Sequence, residues 1–347
     1  MEDLNNLYLD ATPGRTARVA GKEYLFFSGY NYLGVSHDAD FNSIIQEGIR
    51  RYGWLFPSSR ISNTRLSIYD ECESMLAQAI GCEAAVLLPT GFTAGRVATS
   101  LPQDINNSPA SHPAILRHKS DVSTIAEWEE QVLQHVKNSD QRLIIASDAA
   151  NPLSATIYNF GFLSQVQRPL TLILDDSHGV GLMGDDGFGT SASVPKNNSL
   201  EYIFTYSLSK AFGISGGAIS CSADRAAYYK SLPAYTGSTP MSPAQVYAFL
   251  RGQHIYARQR EKLRQNISYF AELVKHLAGI HFTAGFPVFV LPASVNERYL
   301  YDCGIIISSF AYPTPSSPKL NRIVVNAEHT PDDLDRLADV LHRQLGR

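Results

Sequence analysis

Short apolar runs alternate with stretches of helical periodicity through the middle of the chain. Runs of four to six apolar residues with little polar alternation occur at 84–88, 143–146, 170–174, 202–205 and 218–221. Such runs are typical of strands that are buried on both faces of a mainly parallel sheet. Apolar residues at helical spacing fill several of the intervals, at 92–100, 124–136 and 223–232. This alternation predicts an α/β domain.

The amino-terminal region has a different pattern. Residues 15–28 predict a small hairpin. Asp40 is expected to cap the helix that follows, because an aspartate there precedes an apolar stripe at helical spacing. A second helix is predicted over 68–80, and Gly81 is expected to end it.

The carboxyl-terminal region combines strands and helices without the α/β alternation. Ser242-Pro243 predicts the start of a long helix that reaches about Leu277. Three strands and a closing amphipathic helix are predicted after it, at 288–291, 305–310, 323–325 and 331–345. We therefore predict an amino-terminal hairpin or arm that packs with the small domain, a large cofactor-binding domain and a small α+β domain, at 1–39, 40–240 and 241–347.

Composition narrows the class of protein. The chain has 347 residues with 29 basic and 33 acidic side chains, and this net charge of −4 gives no general attraction to nucleic acid. Its four cysteines form no C-x-x-C pair, so neither a disulfide framework nor a metal site is expected. No apolar run is long enough for a membrane span, and the first residues lack the apolar core of a signal peptide. We expect a cytoplasmic enzyme.

Two short motifs suggest other functions, but each lacks its structural context. Gly179-Val-Gly-Leu-Met-Gly184 matches the dinucleotide signature G-x-G-x-x-G, which needs a helix that starts inside it. Acidic residues and glycines follow instead. Gly213-Ile-Ser215-Gly-Gly217 matches the nucleophile elbow of serine hydrolases, but it precedes a predicted strand, whereas the elbow follows one.

Three polar segments stand where predicted strands end. They are Thr90-Gly91-Phe92, Asp175 with His178, and Ser207-Leu-Ser209-Lys210. A lysine can form a Schiff base with the aldehyde of pyridoxal 5'-phosphate (PLP), and a carboxylate can keep the pyridine nitrogen protonated. The start of a helix offers N–H groups to a phosphate. Because the carboxyl ends of parallel strands meet at one edge of a sheet, these segments together predict a PLP site.

The segment from Asp175 to Gly189 resembles the signature D-[DE]-[AS]-H-x-x-G-x-x-G-x-x-G-x-G of the α-oxoamine synthases. Other segments agree with that family in order, namely Asn31-Tyr-Leu-Gly34, Arg51-Tyr-Gly53, Ser59-Arg60, Thr90-Gly-Phe92, Ser207-x-x-Lys210, Gly237-Ser-Thr239-Pro-Met-Ser-Pro243 and Arg322 ahead of His329. The resemblance extends from about residue 22 to the end of the chain. It implies a homodimeric fold-type I PLP-dependent transferase whose large domain has a mainly parallel, seven-stranded type of sheet.

The resemblance also implies roles for the matched residues. Lys210 would form the Schiff base and remove the Cα proton, Asp175 would pair with the pyridinium nitrogen, and His178 would bond the phenolic oxygen of the ring. Arg322 would hold the substrate carboxylate, and Asn31 is a second predicted substrate contact. The other predicted cofactor contacts are Thr90, Gly91, Phe92 and Ser207, Ser238 or Thr239 of the second subunit, His112 stacked on the ring, and Asn151.

By this resemblance the enzyme condenses alanine, glycine or serine with an acyl thioester of CoA or of a carrier protein. Carboxylate is lost and an α-aminoketone is formed. Asn151-Pro152 looks more like the equivalent segment of aminotransferases, so a class I/II aminotransferase stays open as the alternative. A hydrolytic protein that uses Ser215, or a non-catalytic one, is the rival from another class.

Overall fold

The structure is a computed structural model that describes residues 3–109, 111–139, 141–312, 314 and 316–346. The described strands are β1 (Thr16–Val19), β2 (Lys22–Phe27), β3 (Ala84–Leu88), β4 (Asn106–Asn107), β5 (Leu143–Asp148), β6 (Ala150–Asn151), β7 (Thr156–Ile157), β8 (Leu170–Asp175), β9 (Leu200–Ser207), β10 (Gly217–Cys221), β11 (His281–Phe282), β12 (Val288–Leu291), β13 (Ile305–Ala311) and β14 (Lys319–Val324). The described helices are α1 (Ala39–Tyr52), α2 (Ser67–Ile80), α3 (Gly91–Ala98), α4 (Ile125–Asn138), α5 (Ala223–Ser231), α6 (Pro233–Thr236), α7 (Pro243–Arg251), α8 (Gln253–Val274), α9 (Glu297–Asp302) and α10 (Pro331–Leu345).

The chain divides into two compact units. The small unit consists of the residues up to Phe41, the segment Asn151–Ile157, and the residues from His254 onward. The large unit consists of Asn42–Ala150 and Tyr158–Gln253. The domain limits that the sequence suggested, after residues 39 and 240, stay a prediction.

The large unit is built on a six-stranded sheet in the order β3-β10-β9-β8-β5-β4. Strand β10 is antiparallel to both of its neighbours, and the other described pairings are parallel. The prediction of an α/β fold with a mainly parallel sheet is therefore confirmed, although the described sheet has six strands and not seven. A parallel partner for β9 would need a long crossover, whereas the short segment 208–216 can only turn the chain back on itself.

Apolar side chains of the strands and of α3 form the core of the large unit. Val86, Ile173, Ile203 and Ile219 come from four strands and are fully buried, and Ala94 of α3 packs in the same cluster. This burial explains why the strands appear in the sequence as uninterrupted apolar runs. The polar residues that follow the strands are thereby left at the edge of the sheet.

The small unit contains a second six-stranded sheet, in the order β1-β2-β13-β14-β12-β11. The predicted amino-terminal hairpin is present, with β1 and β2 antiparallel. Strand β2 pairs in parallel with β13, so the hairpin and the carboxyl-terminal strands share one sheet. Among the described residues, no helix combines the length and the apolar character that crossing a membrane requires.

Two sequence-based expectations about helix ends are wrong. Asp38, not Asp40, caps α1, because its Oδ1 accepts the N–H of Phe41 at 3.1 Å. Asp40 lies inside the helix, and its carboxylate bonds Arg258 at 3.0 Å. The long helix predicted from Ser242 to Leu277 is two helices, α7 and α8, which are interrupted at Gly252. Glycine is a poor helix former, and this accounts for the break.

Candidate functional site

Two carboxylates lie side by side where β5 and β8 end. Asp148 and Asp175 are register partners on these parallel strands, whose axes are about 4.8 Å apart in any such pair. Residues in register on neighbouring strands point to the same face of the sheet. Both are nearly buried, with 9% and 6% of their surface exposed. Asp175 Oδ1 accepts the N–H of Ser177 at 3.0 Å, which orients that carboxylate.

Asp148 is a site residue that the sequence reasoning missed. Burial and the nearby charge of Asp175 raise its pKa well above the usual value, while a hydrogen bond from His112 and the charge of Lys210 act in the opposite direction. Its position could have been recognised in the sequence, because Asp148 follows an apolar run in the same way as Asp175 does. Two carboxylates in one apolar setting disfavour each other's ionisation.

His112 is brought to this pair of carboxylates. Its main-chain N–H donates to Asp148, at 3.1 Å from Oδ2 and 3.4 Å from Oδ1. Its ring Nδ1 accepts the N–H of Ala114 at 3.2 Å, which fixes the orientation of the imidazole. Burial lowers the pKa of His112, Asp175 raises it and Lys210 lowers it. Asp175 and Lys210 are therefore both within electrostatic reach of His112.

Lys210 lies in a closed loop just beyond the end of β9. The N–H of Ser207, the last residue of the strand, donates to Ser177 Oγ at 2.9 Å. The Ser207 hydroxyl accepts the N–H of Ser209 at 3.2 Å. Lys210 is half-buried in this loop, which the hydrogen bond between Ser207 and Ser177 joins to the turn after β8. His178 is half-buried in that turn.

The start of α3 is packed directly against Ser207. A Cβ atom placed on Gly91 would lie 2.4 Å from Ser207 Cβ, so only glycine fits there. A Cβ on Gly217 would in turn lie 2.5 Å from Gly91 Cα. The hydroxyl of Thr90 caps the helix by accepting the N–H of Thr93 at 3.0 Å, and the Phe92 ring is exposed. The first N–H groups of α3 therefore open beside the Ser207 hydroxyl.

The glycine-rich segment after Asp175 closes around the second aspartate, Asp176. Its Oδ2 accepts the N–H of Thr190 at 2.6 Å, and burial raises its pKa to about 7. A Cβ on Gly179 or on Gly189 would lie 2.1 Å from one of its carboxylate oxygens. The glycines thus make room for Asp176. No helix starts inside this described segment, so it is not a dinucleotide loop.

The segment Gly213–Gly217, which matches the nucleophile elbow, does not have the geometry of one. Ser215 lies in the loop that joins β9 to β10, and its N–H donates to Gln245 Oε1 at 2.9 Å. A strand follows it, whereas a nucleophile elbow leads from a strand into a helix. The serine-hydrolase hypothesis is therefore wrong about this segment.

Arg322 is a buried cation of the small unit, with 2% of its surface exposed. Its guanidinium donates to the Pro152 carbonyl at 3.2 Å and to the Tyr30 hydroxyl. The rings of Tyr30 and Phe310 flank it, with centroids 4.8 and 5.2 Å from Cζ. Within the described part of the chain, no carboxylate pairs with it and its Nε has no partner.

The remaining predicted site residues differ in their hydrogen bonding. Both polar atoms of the Asn31 amide are buried and have no hydrogen-bond partner among the residues described. Asn151 Oδ1 accepts the N–H of Leu153 at 2.8 Å and so stabilises its own turn. Ser238 and Thr239 follow α6, whose last residue, Thr236, accepts a hydrogen bond from Ser59 Oγ at 2.6 Å.

The chain is similar to known enzymes over nearly its whole length. The 8-amino-7-oxononanoate synthase of Thermosipho melanesiensis is 28% identical over 94% of this chain and 90% of its own. A serine palmitoyltransferase (SPT) structure solved with PLP has a TM-score of 0.83 at 17% identity, and the match covers 99% of this chain and 94% of that one. The structure of 8-amino-7-oxononanoate synthase from Francisella tularensis has a TM-score of 0.71 at 22% identity, and the match covers 93% of this chain and 98% of that one.

These likenesses establish the fold, which is that of the two solved enzymes. A model of one family, described as "Aminotransferase class I and II", matches residues 120–341. The match takes in β5, β8 and β9, and with them Asp148, Asp175 and Lys210. The chain therefore belongs to the aminotransferase class I and II family.

Proposed function

We propose that this protein is a PLP-dependent enzyme that joins an amino acid to an acyl thioester with loss of carboxylate. More specifically, we propose that the protein is an 8-amino-7-oxononanoate synthase, which uses alanine and a pimeloyl thioester as substrates. The observation that carries the proposal is the cluster of Asp175, Lys210 and His112 at the carboxyl ends of parallel strands. Open α/β sheets bind their ligands at this edge.

The residues present fit PLP. The cofactor needs an amine for its aldehyde, a carboxylate for its ring nitrogen and N–H donors for its phosphate. The large unit offers Lys210 and Asp175 for the first two. For the phosphate, the start of α3 offers its free N–H groups beside the Ser207 hydroxyl. This close approach is possible because Gly91 has no Cβ atom that would overlap with Ser207.

When bound, PLP supplies an electron sink for the negative charge that develops at the substrate Cα. Lys210 Nζ would be the amine that holds the cofactor, and once free of it the same amine would accept the proton from the substrate Cα. Asp175 would keep the proton on the ring nitrogen, and the hydrogen bond from the Ser177 N–H orients its carboxylate for this role. His178 would orient the ring by a hydrogen bond to its phenolic oxygen, and His112 would cover one face of the ring.

Arg322 binds the substrate carboxylate in this proposal. A buried guanidinium without a carboxylate partner is costly, and a planar anion satisfies it with paired hydrogen bonds. The unpartnered Nε is available for such an anion. The buried amide of Asn31 likewise has both of its polar atoms available for substrate.

We propose that the protein acts as a homodimer. Segment 54–61 of the large unit exposes three large apolar side chains, those of Trp54, Leu55 and Ile61. Clustered exposed apolar residues mark protein–protein interfaces. The second subunit would then supply Ser238 or Thr239 to the phosphate. Changing Ile61 to Asp should yield monomers in analytical ultracentrifugation, while Tyr8→Asp, at a terminal residue that is 86% exposed, should leave the dimer intact.

Purified protein reconstituted with PLP tests the proposal directly. The wild type should bind PLP with a visible absorption band, which borohydride reduction fixes to the chain. Lys210→Ala should lose the reducible band, and Lys262→Ala, an exposed lysine of α8, should keep it. A reducible band in Lys210→Ala would refute the assignment of that lysine.

A thiol-release assay separates condensation from transamination. Free thiol that appears only when alanine and pimeloyl-CoA are both present supports condensation. A keto acid formed from the amino acid without any thioester supports the aminotransferase alternative. A panel of acyl chains then identifies the preferred thioester.

A further inference from the structure

Asp148 has no role in the reaction proposed above, although it lies at the centre of the cluster. Its side chain is buried beside Asp175 on the neighbouring strand. Burying a carboxylate next to another one is costly, and the fold gives Asp148 no cationic partner within ion-pair distance among the described residues. Such a costly group calls for a physical explanation.

The specific contact that Asp148 makes is with the main chain of His112. Both carboxylate oxygens face the His112 N–H, at 3.1 and 3.4 Å. The imidazole is fixed in turn by the hydrogen bond from Ala114 to its Nδ1. Thus the carboxylate sets the position of the backbone, and the backbone sets the position of the ring.

The segment that leads to His112 is tied to the same strand end. The N–H of Ser108 donates to the carbonyl of Ala146 on β5 at 2.9 Å, and its hydroxyl donates to Ser147 Oγ at 2.9 Å. The Ser111 hydroxyl donates back to the Ser108 carbonyl at 2.9 Å. These contacts secure Ser108 and Ser111, and Asp148 secures the next residue, His112.

We propose that Asp148 is a positioning residue, whose carboxyl group holds the backbone of His112 so that the imidazole covers the PLP ring while Asp175 bonds the ring nitrogen. This inference rests on the proposed function. Asp148 and Asp175 are register partners on β5 and β8. One pair of strands therefore fixes both the position of the His112 imidazole, through Asp148, and the position of the carboxylate of Asp175. Asp148 needs no contact with PLP to act in this way.

The inference predicts that the acceptor oxygen of residue 148 matters and its charge does not. Asp148→Asn keeps an acceptor for the His112 N–H, whereas Asp148→Ala removes it. Asp148→Ala should weaken PLP binding by about ten- to a hundredfold, the effect expected when a buried N–H loses its acceptor. It should also reduce the visible circular dichroism of bound PLP, and Asp148→Asn should restore both within about threefold of the wild type.

Two measurements test this chain of contacts. In a double-mutant cycle, Asp148→Ala should have no further effect on PLP affinity or on visible dichroism once His112 is Ala, because it acts through that residue. In the apoprotein, amide exchange of the peptide that contains His112 should quicken in Asp148→Ala and not in Asp148→Asn. Glu127→Ala removes a similar exposed carboxylate-to-backbone contact at Thr124 and should change neither measurement.

The outcomes separate the two proposals. Additive effects in the cycle, or an Asp148→Asn variant as impaired as Asp148→Ala, would overturn the positioning role while PLP binding by the wild type still stands. Wild-type protein that binds no PLP would overturn the proposed function and this inference with it. The exchange experiment needs no cofactor, so unchanged exchange in Asp148→Ala refutes the contact by itself.

Discussion

Gly91 at the start of α3 touches Ser207 at the end of β9 so closely that a Cβ on the glycine would lie 2.7 Å from the serine Cα. Backbone atoms cannot move aside as a flexible side chain can. This contact brings the first N–H groups of a helix beside the loop that carries Lys210. The chemistry that we propose therefore depends on a residue with no side chain.

Gly91→Ala tests this close contact. Alanine usually favours a helix over glycine, so a gain in stability is the ordinary expectation. Here we expect a loss of about 1–3 kcal/mol in the free energy of unfolding, because of the overlap with Ser207, together with loss of PLP binding. Urea denaturation and PLP titration measure the two effects. Gly161→Ala, whose new Cβ would meet only the side chain of Asn159, is the control, and equal effects in both variants would contradict the argument.

Arg322→Lys tests the binding of the substrate carboxylate. Lysine keeps the charge but cannot form paired hydrogen bonds to a planar anion. We expect the dissociation constant for alanine to rise about ten- to a hundredfold, with PLP affinity unchanged, as judged by spectral titration. Arg251→Lys, an exposed residue that pairs with Glu71, should behave as the wild type. An unchanged alanine affinity in Arg322→Lys would place the carboxylate elsewhere.

His329 should make the stability of the protein fall in mild acid. Burial lowers the pKa of His329 to about 4, although the hydrogen bond that its Nε2 donates to the Phe26 carbonyl acts in the opposite direction. Its Nδ1 accepts the N–H of Asn326, so protonation there would break that hydrogen bond. In the unfolded chain a histidine titrates near 6.5, so between about pH 6.5 and pH 4 the unfolded state binds the extra proton. The contribution of His329 is therefore complete above about pH 6.5, and about 3 kcal/mol is lost as the pH falls to about 4.

Urea denaturation at a series of pH values measures this contribution. His329→Asn should show a shallower loss of stability between about pH 6.5 and pH 4 than the wild type. His118→Asn, which alters an exposed histidine, should keep the wild-type slope. Identical slopes in His329→Asn and the wild type would show that the pKa of His329 is the same in the folded and the unfolded state.

Glu73 joins several elements of the large unit in one buried network. It accepts the N–H of Leu87 at 3.0 Å, and it pairs with Arg60 at 3.2 Å and with Lys230 at 2.6 Å. Removing one partner of a buried ion pair leaves the other charge uncompensated. Glu73→Gln should therefore lower the free energy of unfolding by about 3–5 kcal/mol.

An exposed ion pair provides the control for Glu73. Glu272 of α8 pairs with Lys275, which follows the helix, and water screens the charges because both side chains are exposed. Glu272→Gln should change the free energy of unfolding by less than about 0.5 kcal/mol. Comparable losses in the two variants would mean that burial does not strengthen the Glu73 network.

Much of the local structure could be predicted from the sequence. The strand 288–291 and the helix 331–345 were predicted with the bounds that the structure shows. Apolar spacing and end signals such as Gly81, which takes the left-handed conformation after α2, act over a few residues and can be recognised in one segment. The same local signals located Asp175 and the loop of Lys210 at strand ends.

The relationships across the sheet could not be predicted in this way. The antiparallel direction of β10 and the register that sets Asp148 beside Asp175 depend on hydrogen bonds between segments far apart in the sequence. The cap of α1 also depended on a distant residue, because Arg258 binds Asp38 and Asp40 together. The sequence by itself determined that Asp175 and Lys210 lie at strand ends, and tertiary structure decided which groups lie beside them, because only the folded backbone brings distant strand ends together.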